Sequence, residues 1–184
     1  MAFDPAYDEL LVLKCQDGDA PALDELVSRW QGRFVGHACR LTGQPEAARD
    51  AVQEAWLAIV RGLGRLDDPA RFGPWAYRIV GNKAIDWVRR QGRRRRIDQE
   101  LLDTQRRQED LSRRDSTGDR EHELLVQALH ALAPDRQALL GLYYQDGFSV
   151  REIAEILEIP AGTVKSRLFH ARHQLKEALE GGES

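Results

Sequence analysis

The chain has 184 residues, of which 42% are hydrophobic and 31% are charged, a composition typical of soluble globular proteins. No apolar run is long enough to span a membrane, and the acidic N-terminus is unlike a signal peptide. We therefore expect a cytoplasmic protein that does not insert into a membrane.

The formal net charge of −3 is unfavourable for a protein that binds DNA unaided, because neutralising phosphates drives affinity. The charge is unevenly distributed, since residues 89–96 read RRQGRRRR and the rest of the chain is acidic. Such a chain should bind DNA weakly by itself and offer an acidic surface to another partner. This distribution indicates a subunit of a larger assembly rather than an independent repressor.

Apolar residues of the first half recur at helical spacing. The pattern predicts a short helix at residues 7–16 and a strong amphipathic helix at 22–41, which Gly43 helps to end. A third helix is predicted to begin at Pro45 and to run to about Arg61. Its outer face carries an acidic patch made of Asp50, Gln53 and Glu54.

Residues 62–74 have the Gly, Pro and paired Asp of a loop, and residues 75–90 again have a helical pattern. The pattern stops after Arg96, and the next two dozen residues mix charges with few large apolar side chains, as in a disordered or loosely helical linker. Helices are predicted again at 121–131 and 134–145. The predicted fold class is all-α, with two small helical domains joined by a charged flexible linker.

The segment 148–178 has the residue spacing of a helix-turn-helix. Ser149 and Glu152 form a capping box that opens a short helix, and Pro160 suits the first turn of a second helix. Glu158 occupies the turn position where Gly is common, so backbone strain is expected there if its φ is positive. An apolar stripe of the second helix is formed by Val164, Leu168, Ala171 and Leu175.

The face opposite that stripe carries donors of the kind that reach phosphates and base edges in a major groove. A solvated helix face would have the same composition, but the capped helix and tight turn before it favour DNA binding. The side chains concerned are Thr163, Lys165, Ser166, Arg167, His170 and Arg172.

Catalytic chemistry is not predicted. No Gly-rich phosphate loop follows a strand, no nucleophile has a recognisable context, and no cofactor is expected. His170 and His173 could share a helix face, but no carboxylate or Cys accompanies them, so no metal is predicted. Cys15 and Cys39 are interpreted as buried thiols rather than a redox pair or metal ligands.

Four segments together resemble the signatures of the extracytoplasmic-function (group four) sigma factors of bacterial RNA polymerase. They are DAVQEAW (50–56), FGPWAYRIVGNKAIDWVRR (72–90), LAPDRQALLGLYYQDGFSVREIA (132–154) and IPAGTVKSRLFHAR (159–172). The resemblance covers residues 22–96 and 124–179. It implies that residues 1–96 form sigma region 2, that 97–121 form the linker, and that 122–184 form sigma region 4.

The resemblance also implies partners and a division of labour. Core RNA polymerase, through its β′ coiled coil and β flap, would supply catalysis, and this subunit would supply promoter choice and help to open the DNA. An anti-sigma factor is a further expected partner. The acidic patch of Asp50, Gln53 and Glu54 would dock on the β′ coiled coil.

Two sets of residues would contact promoter DNA if the resemblance holds. Trp75 lies on an apolar stripe and could instead be core, and His170 replaces an Arg that many relatives have, which weakens a phosphate contact. The −10 element would be contacted by Phe72, Trp75, Tyr77, Arg78, Asn82, Arg89, Arg90 and Arg93. The −35 element would be contacted by Arg151, Thr163, Lys165, Ser166, Arg167, His170 and Arg172.

Two other classes of protein compete with this interpretation. A dimeric helix-turn-helix regulator would bind operators without polymerase, but the chain shows no dimer seam. A pure protein-interaction module would have no use for Lys165, Ser166 and Arg167. Only a sigma factor would make core polymerase initiate at a new promoter.

Overall fold

The structure is a computed structural model that describes the backbone of residues 4–101 and 120–180 and the side chains of 4–93 and 124–179. Within these ranges every regular element is helical, which agrees with the predicted all-α class. The N-terminal domain consists of α1 (Pro5–Gln16), α2 (Ala20–Thr42), α3 (Pro45–Leu63), a 3₁₀ turn (Pro69–Arg71) and α4 (Phe72–Leu101). The C-terminal domain consists of α5 (Arg120–Ala131), α6 (Pro134–Leu140), a π turn (Gly141–Gln145), α7 (Val150–Leu157) and α8 (Ala161–Glu180).

Local chemistry sets the ends of the first helices. The side chains of Asp4 and Asp19 accept hydrogen bonds from backbone N–H groups in the first turns of α1 and α2. Gly43 ends α2 in the left-handed conformation at φ 68°, and Pro45 follows at the start of α3. These signals explain why the first three helices lie close to their predicted positions.

An aromatic cluster fills the core of the N-terminal domain, where α2, α3 and α4 pack together. The Phe34 ring lies at the centre, 5.6 Å from the Trp30 ring and 5.3 Å from both the Trp56 and Tyr77 rings, measured between centroids. Phe72 meets Trp30 edge-on at 5.2 Å. Such tilted and edge-on pairs stabilise a core beyond the apolar area that they bury.

Helix α4 is longer than predicted at both ends. It begins at Phe72 rather than at residue 75, because Asp68 caps a 3₁₀ turn that leads directly into it. It continues through the arginine-rich segment to Leu101, since arginine is a good helix former. The first five residues of the predicted linker are therefore helical, and residues 102–119 lie outside the described part of the chain.

The predicted helix at 134–145 is helical over its whole length, but it consists of two elements. The α-helix stops at Leu140, and a π turn at Gly141–Gln145 follows. Single π turns often occur at functional positions. Here the turn presents Gln145 and Asp146 to Arg40 of the N-terminal domain.

The helix-turn-helix is formed by α7 and α8. Both hydrogen bonds of the predicted capping box are present, from the Ser149 N–H to the Glu152 carboxylate at 2.7 Å and from the Glu152 N–H to the Ser149 hydroxyl at 3.3 Å. Glu158 has φ 53° and ψ 42°, so this non-glycine residue has the positive φ that causes strain. It is the one non-glycine residue with positive φ in the described ranges. Pro160 immediately precedes α8, and its carbonyl accepts from the N–H groups of Thr163 and Val164.

The two domains pack directly on each other, α6 against α2 and α7 against α4. Phe148 is the apolar anchor of this contact and is only 7% exposed. Its ring meets the Tyr77 ring edge-on at 4.9 Å. Gly73 leaves room for it, since a Cβ atom there would lie 3.3 Å from the Phe148 ring. The C-terminal domain thus covers part of the helix that carries the predicted −10 residues.

Candidate nucleic-acid interface

Helix α8 separates an apolar face from a polar face as predicted. Val164, Leu168 and Ala171 are at most 1% exposed, while Leu175 is half-buried. On the polar face Thr163 is half-buried, and the following predicted −35 residues are exposed: Lys165, Ser166, Arg167, His170 and Arg172. Arg151, at the start of α7, is exposed as well.

Two of these side chains are held by neighbours. The Ser166 hydroxyl donates to the Thr163 carbonyl at 3.0 Å, and Arg172 Nε donates to the Leu168 carbonyl at 3.3 Å. The Arg172 guanidinium carbon also lies 5.9 Å from the centre of the Tyr143 ring. Lys165 and Arg167 are consequently the cations of this face that are better placed to contact DNA.

Phe169 is a member of the polar face that sequence reasoning missed. It is 63% exposed, and its ring lies 5.6 Å from the His170 ring and 6.3 Å from the His173 ring. The signal was available, because a large apolar residue one position after Leu168 lies off the buried stripe. An exposed aromatic ring on such a face can contact the apolar parts of DNA.

A cleft of about 500 Å³ lies between the domains beside α4. Trp75, which is half-buried, and Arg78, which is exposed, line its N-terminal side. Glu155 and Glu158 of the C-terminal domain line its other side. Asn82 is exposed further along α4. Trp75, Arg78 and Asn82 thus remain at the surface of the N-terminal domain.

The expectation that Phe72 and Tyr77 offer stacking surface was wrong for this arrangement of the domains. Phe72 is 1% exposed because it opens α4 facing Trp30, rather than lying in a loop. Tyr77 is fully buried between the aromatic core and Phe148. Neither ring can stack on a base while the domains are packed together.

Asp146 connects the two domains through a buried polar cluster. Its carboxylate accepts from the Tyr77 hydroxyl at 2.7 Å and from Arg40 Nη2 at 2.9 Å, and Arg33 Nε lies 3.7 Å away. Arg33 Nη2 also donates to the Asp146 backbone carbonyl at 2.8 Å. Burial and the Asp146 charge raise the pKa of Tyr77, which therefore remains a donor. Sequence reasoning missed this cluster because its members lie far apart in the chain.

His37 lies beside this cluster in the core. It is fully buried, and neither of its ring nitrogens has a hydrogen-bond partner among the described residues. Burial, together with the nearby charge of Arg40, lowers the pKa of His37 from 6.5 to about 3. The imidazole is therefore neutral at physiological pH.

The predicted acidic patch lies on a second groove of the N-terminal domain, separate from the cleft. Asp50 and Gln53 are exposed, and they line a groove of about 390 Å³ together with Glu54, Leu57 and Trp87. Leu57 is 58% exposed and is an apolar member of this surface that sequence reasoning missed. Carboxylates around an exposed leucine suit a partner surface that is basic and partly apolar.

Part of the predicted basic surface pairs with this patch. Glu54 lies 3.6 Å from Arg90 and 3.5 Å from Lys83, so Arg90 faces the acidic patch in this structure. Arg89 lies 3.8 Å from Asp86 in an exposed intrahelical pair. Arg93 is exposed, and the side chains of residues 94–96 lie outside the described ones.

Within the residues that the structure describes, no helix is long and apolar enough to cross a membrane. The same residues contain no group of three or more His, Cys, Asp and Glu side chains that could hold a metal ion. Cys15 and Cys39 are free thiols, both half-buried rather than fully buried. Burial raises the pKa of Cys15, which disfavours the reactive thiolate.

Comparison with known proteins identifies both domains. Residues 26–94 match Sigma-70 region 2, and residues 122–175 match Sigma-70, region 4. The RNA polymerase sigma-H factor of Pseudomonas aeruginosa is 31% identical over 181 residues, which cover 94% of this chain and 94% of that protein. The ECF RNA polymerase sigma-E factor of Haemophilus influenzae is 29% identical over 181 residues, with coverage of 94% and 95%.

Solved structures agree with this assignment. CnrH, solved in complex with the cytosolic domain of CnrY, matches with a TM-score of 0.65 and 26% identity, over 98% of this chain and all of that chain. The sigma factor RpoE of Bartonella quintana, solved with the anti-sigma factor NepR, has the same fold, with a TM-score of 0.70 and 22% identity over 86% and 96% of the two chains. A dimeric regulator that acts without polymerase is not favoured, because both sigma regions are present in order. The chain therefore belongs to the ECF sigma factors, and it directs RNA polymerase to initiate transcription at particular promoters.

Proposed function

We propose that the polar face of α8 reads the −35 element in the major groove. The observation that carries this proposal is the exposure of Lys165 and Arg167 on a helix whose other face is sealed by Val164 and Leu168. Arg and Lys read guanine edges or hold phosphates. This face can therefore both recognise the base sequence and fix the position of the helix on the DNA. Thr163, Ser166, His170, Arg172 and Arg151 complete the proposed −35 surface.

The −10 element is contacted by the exposed side of α4. Trp75 offers a stacking surface for an unpaired base, Arg78 a cation for the backbone, and Asn82 an amide for a base edge. Arg89 and Arg93 follow the phosphates beyond it. Phe72 is not part of this surface, because it is buried within the N-terminal domain.

Core polymerase binds the acidic patch of Asp50, Gln53 and Glu54, in the role that the family resemblance gives it. The exposed Leu57 and the groove beside Trp87 support this proposal, because they add apolar contact area to the carboxylates. The β′ coiled coil is the proposed partner of this patch, and the β flap that of the C-terminal domain.

The polymerase supplies all catalysis in this account, and the chain acts in the cytoplasm, where the polymerase works. An anti-sigma factor is the proposed regulator. This proposal is supported by the two structural relatives, of which RpoE was solved with the anti-sigma factor NepR and CnrH with CnrY.

Run-off transcription from a library of genomic fragments tests these assignments. Purified core polymerase should start at discrete new sites when this chain is added, and those sites should share two sequence elements. Arg167→Ala should lower initiation at the same sites by about tenfold or more, as expected for a lost base contact. Lys176→Ala removes a cation near the far end of α8 and should leave initiation within about twofold of wild type, the range of an ordinary surface substitution. New start sites that are indifferent to Arg167 would refute the proposed reading face.

A further inference from the structure

We propose that the free chain inhibits its own −10 surface by placing two carboxylates of the C-terminal domain on Arg71 and Arg78, the arginines on either side of Trp75. The inference rests on the proposed role of Trp75 and Arg78 in −10 binding. It goes beyond that role because it assigns a function to the contact between the domains.

Two arginine–glutamate pairs join the domains at the cleft. Arg71 Nη2 donates to the Glu155 carboxylate, and Arg78 Nη1 donates to the Glu158 carboxylate at 3.4 Å. Both glutamates belong to α7 or to the turn that follows it, and both arginines flank Trp75. A carboxylate offers a guanidinium the same bidentate anionic acceptor that a phosphate does. The two glutamates thus use guanidinium donors that could otherwise bind phosphates.

Glu158 has an unusual backbone conformation. A glutamate at φ 53° is strained, and glycine would adopt this conformation freely. The strained residue nevertheless directs its carboxylate at Arg78, across the domain boundary. The turn of the helix-turn-helix therefore reverses the chain and also places the Glu158 carboxylate in the cleft.

Contacts elsewhere between the domains keep Glu155 and Glu158 in place. Exposed ion pairs such as Arg71–Glu155 and Arg78–Glu158 are weak by themselves. The buried cluster around Asp146 and the insertion of Phe148 against Tyr77 fix the C-terminal domain, so the two pairs form without further ordering. A DNA strand that pairs with Arg71 and Arg78 must first displace the two carboxylates.

The consequence is a reduced apparent affinity for the −10 strand in the free chain. When only a fraction of molecules is open, the apparent dissociation constant rises by the inverse of that fraction. Polymerase, or any partner that separates the domains, would release the −10 surface. A sigma factor of this design binds opened DNA less tightly before it has met the enzyme than after.

The test measures binding of the full chain to a fluorescent single-stranded oligonucleotide by anisotropy. The oligonucleotide carries the −10 sequence of a promoter mapped with the holoenzyme. Glu155→Gln/Glu158→Gln removes both carboxylates with little change of shape, and we expect it to bind about threefold to tenfold more tightly than wild type. Asp146→Asn should open the domains and tighten binding by at least as much.

The matched control is Asp24→Asn/Glu177→Gln. It makes the same change in net charge at two exposed positions outside the cleft and should bind within about twofold of wild type. If neither cleft variant binds the oligonucleotide more tightly than this control, self-inhibition is refuted. Failure of the proposed −10 surface would be seen separately, as a holoenzyme with Trp75→Ala that still opens the mapped promoter at the wild-type rate.

Discussion

Arg40 and Asp146 form a salt bridge across the domain boundary, with Nη2 and Oδ2 2.9 Å apart and side chains only 19% and 6% exposed. The Asp146 carboxylate has two further partners, because Tyr77 and Arg33 also contact it. A buried carboxylate with this many donors is held in one place. The contact between the domains is thus a specific docking rather than a loose apolar association.

Asp146→Asn should weaken this docking. The substitution keeps the shape but removes the charge that compensates Arg33 and Arg40, and breaking a buried pair leaves uncompensated charge behind. We expect the free energy of unfolding to fall by about 2 to 4 kcal/mol, measured by urea denaturation. Asp135→Asn, on the same domain but away from this cluster, should change it by about 1 kcal/mol or less, as a substitution in an exposed first turn does. Equal effects of the two substitutions would contradict the assigned role of Asp146.

Gly141→Ala provides a steric test of the same contact. A Cβ atom at Gly141 would lie 2.3 Å from Arg40 Nε, too close for Arg40 to keep its position. We expect destabilisation, although alanine is normally the better helix former by about 1 kcal/mol. Gly162→Ala is the control, because nothing beyond the adjacent residues and the backbone of its own helix lies within 4 Å of the added Cβ, and it should leave stability unchanged or raised. Stabilisation by both substitutions would show that Arg40 does not lie against the π turn.

His37 predicts a pH dependence of stability. Its folded pKa is lowered from 6.5 to about 3, so the unfolded chain binds the proton more readily between these values. The contribution of the neutral imidazole is fully present above pH 6.5 and is lost as the pH falls towards 3. The slope approaches about 1.4 kcal/mol per pH unit for one such group. His37→Met should remove it, as seen in unfolding free energies measured from pH 7 to 5. An unchanged slope in the variant would mean that His37 is not buried as a neutral group.

Lys165 and Arg167 should differ in how they affect DNA binding by the holoenzyme. A cation that only holds a phosphate weakens binding to all sequences and lowers the salt slope by about one, whereas a base contact changes sequence preference. We expect the first behaviour for Lys165→Ala and the second for Arg167→Ala. Filter binding at several salt concentrations, with promoters substituted in the −35 element, separates them. Identical salt slopes and preferences in both variants would contradict this assignment.

Local signals in the sequence were sufficient for most of the fold. Ser149 and Glu152, Gly43 and Pro45 each act within one turn of chain, so the ends that they set could be predicted. The surface of α8 followed from the spacing of Val164, Leu168 and Ala171. Where prediction failed, the cause was usually a partner distant in sequence. Nothing near Tyr77 in the sequence indicates that Asp146, 69 residues later, accepts a hydrogen bond from its hydroxyl.

Small-angle X-ray scattering of the free chain tests the central claim, that the Asp146 cluster holds the two domains together. A compact globular chain of this length has a radius of gyration of about 16 Å. We predict a value close to this for wild type. A clearly larger value is expected for Asp146→Asn and an unchanged one for Asp135→Asn. A wild type as extended as Asp146→Asn, or an Asp146→Asn variant as compact as wild type, would contradict the account.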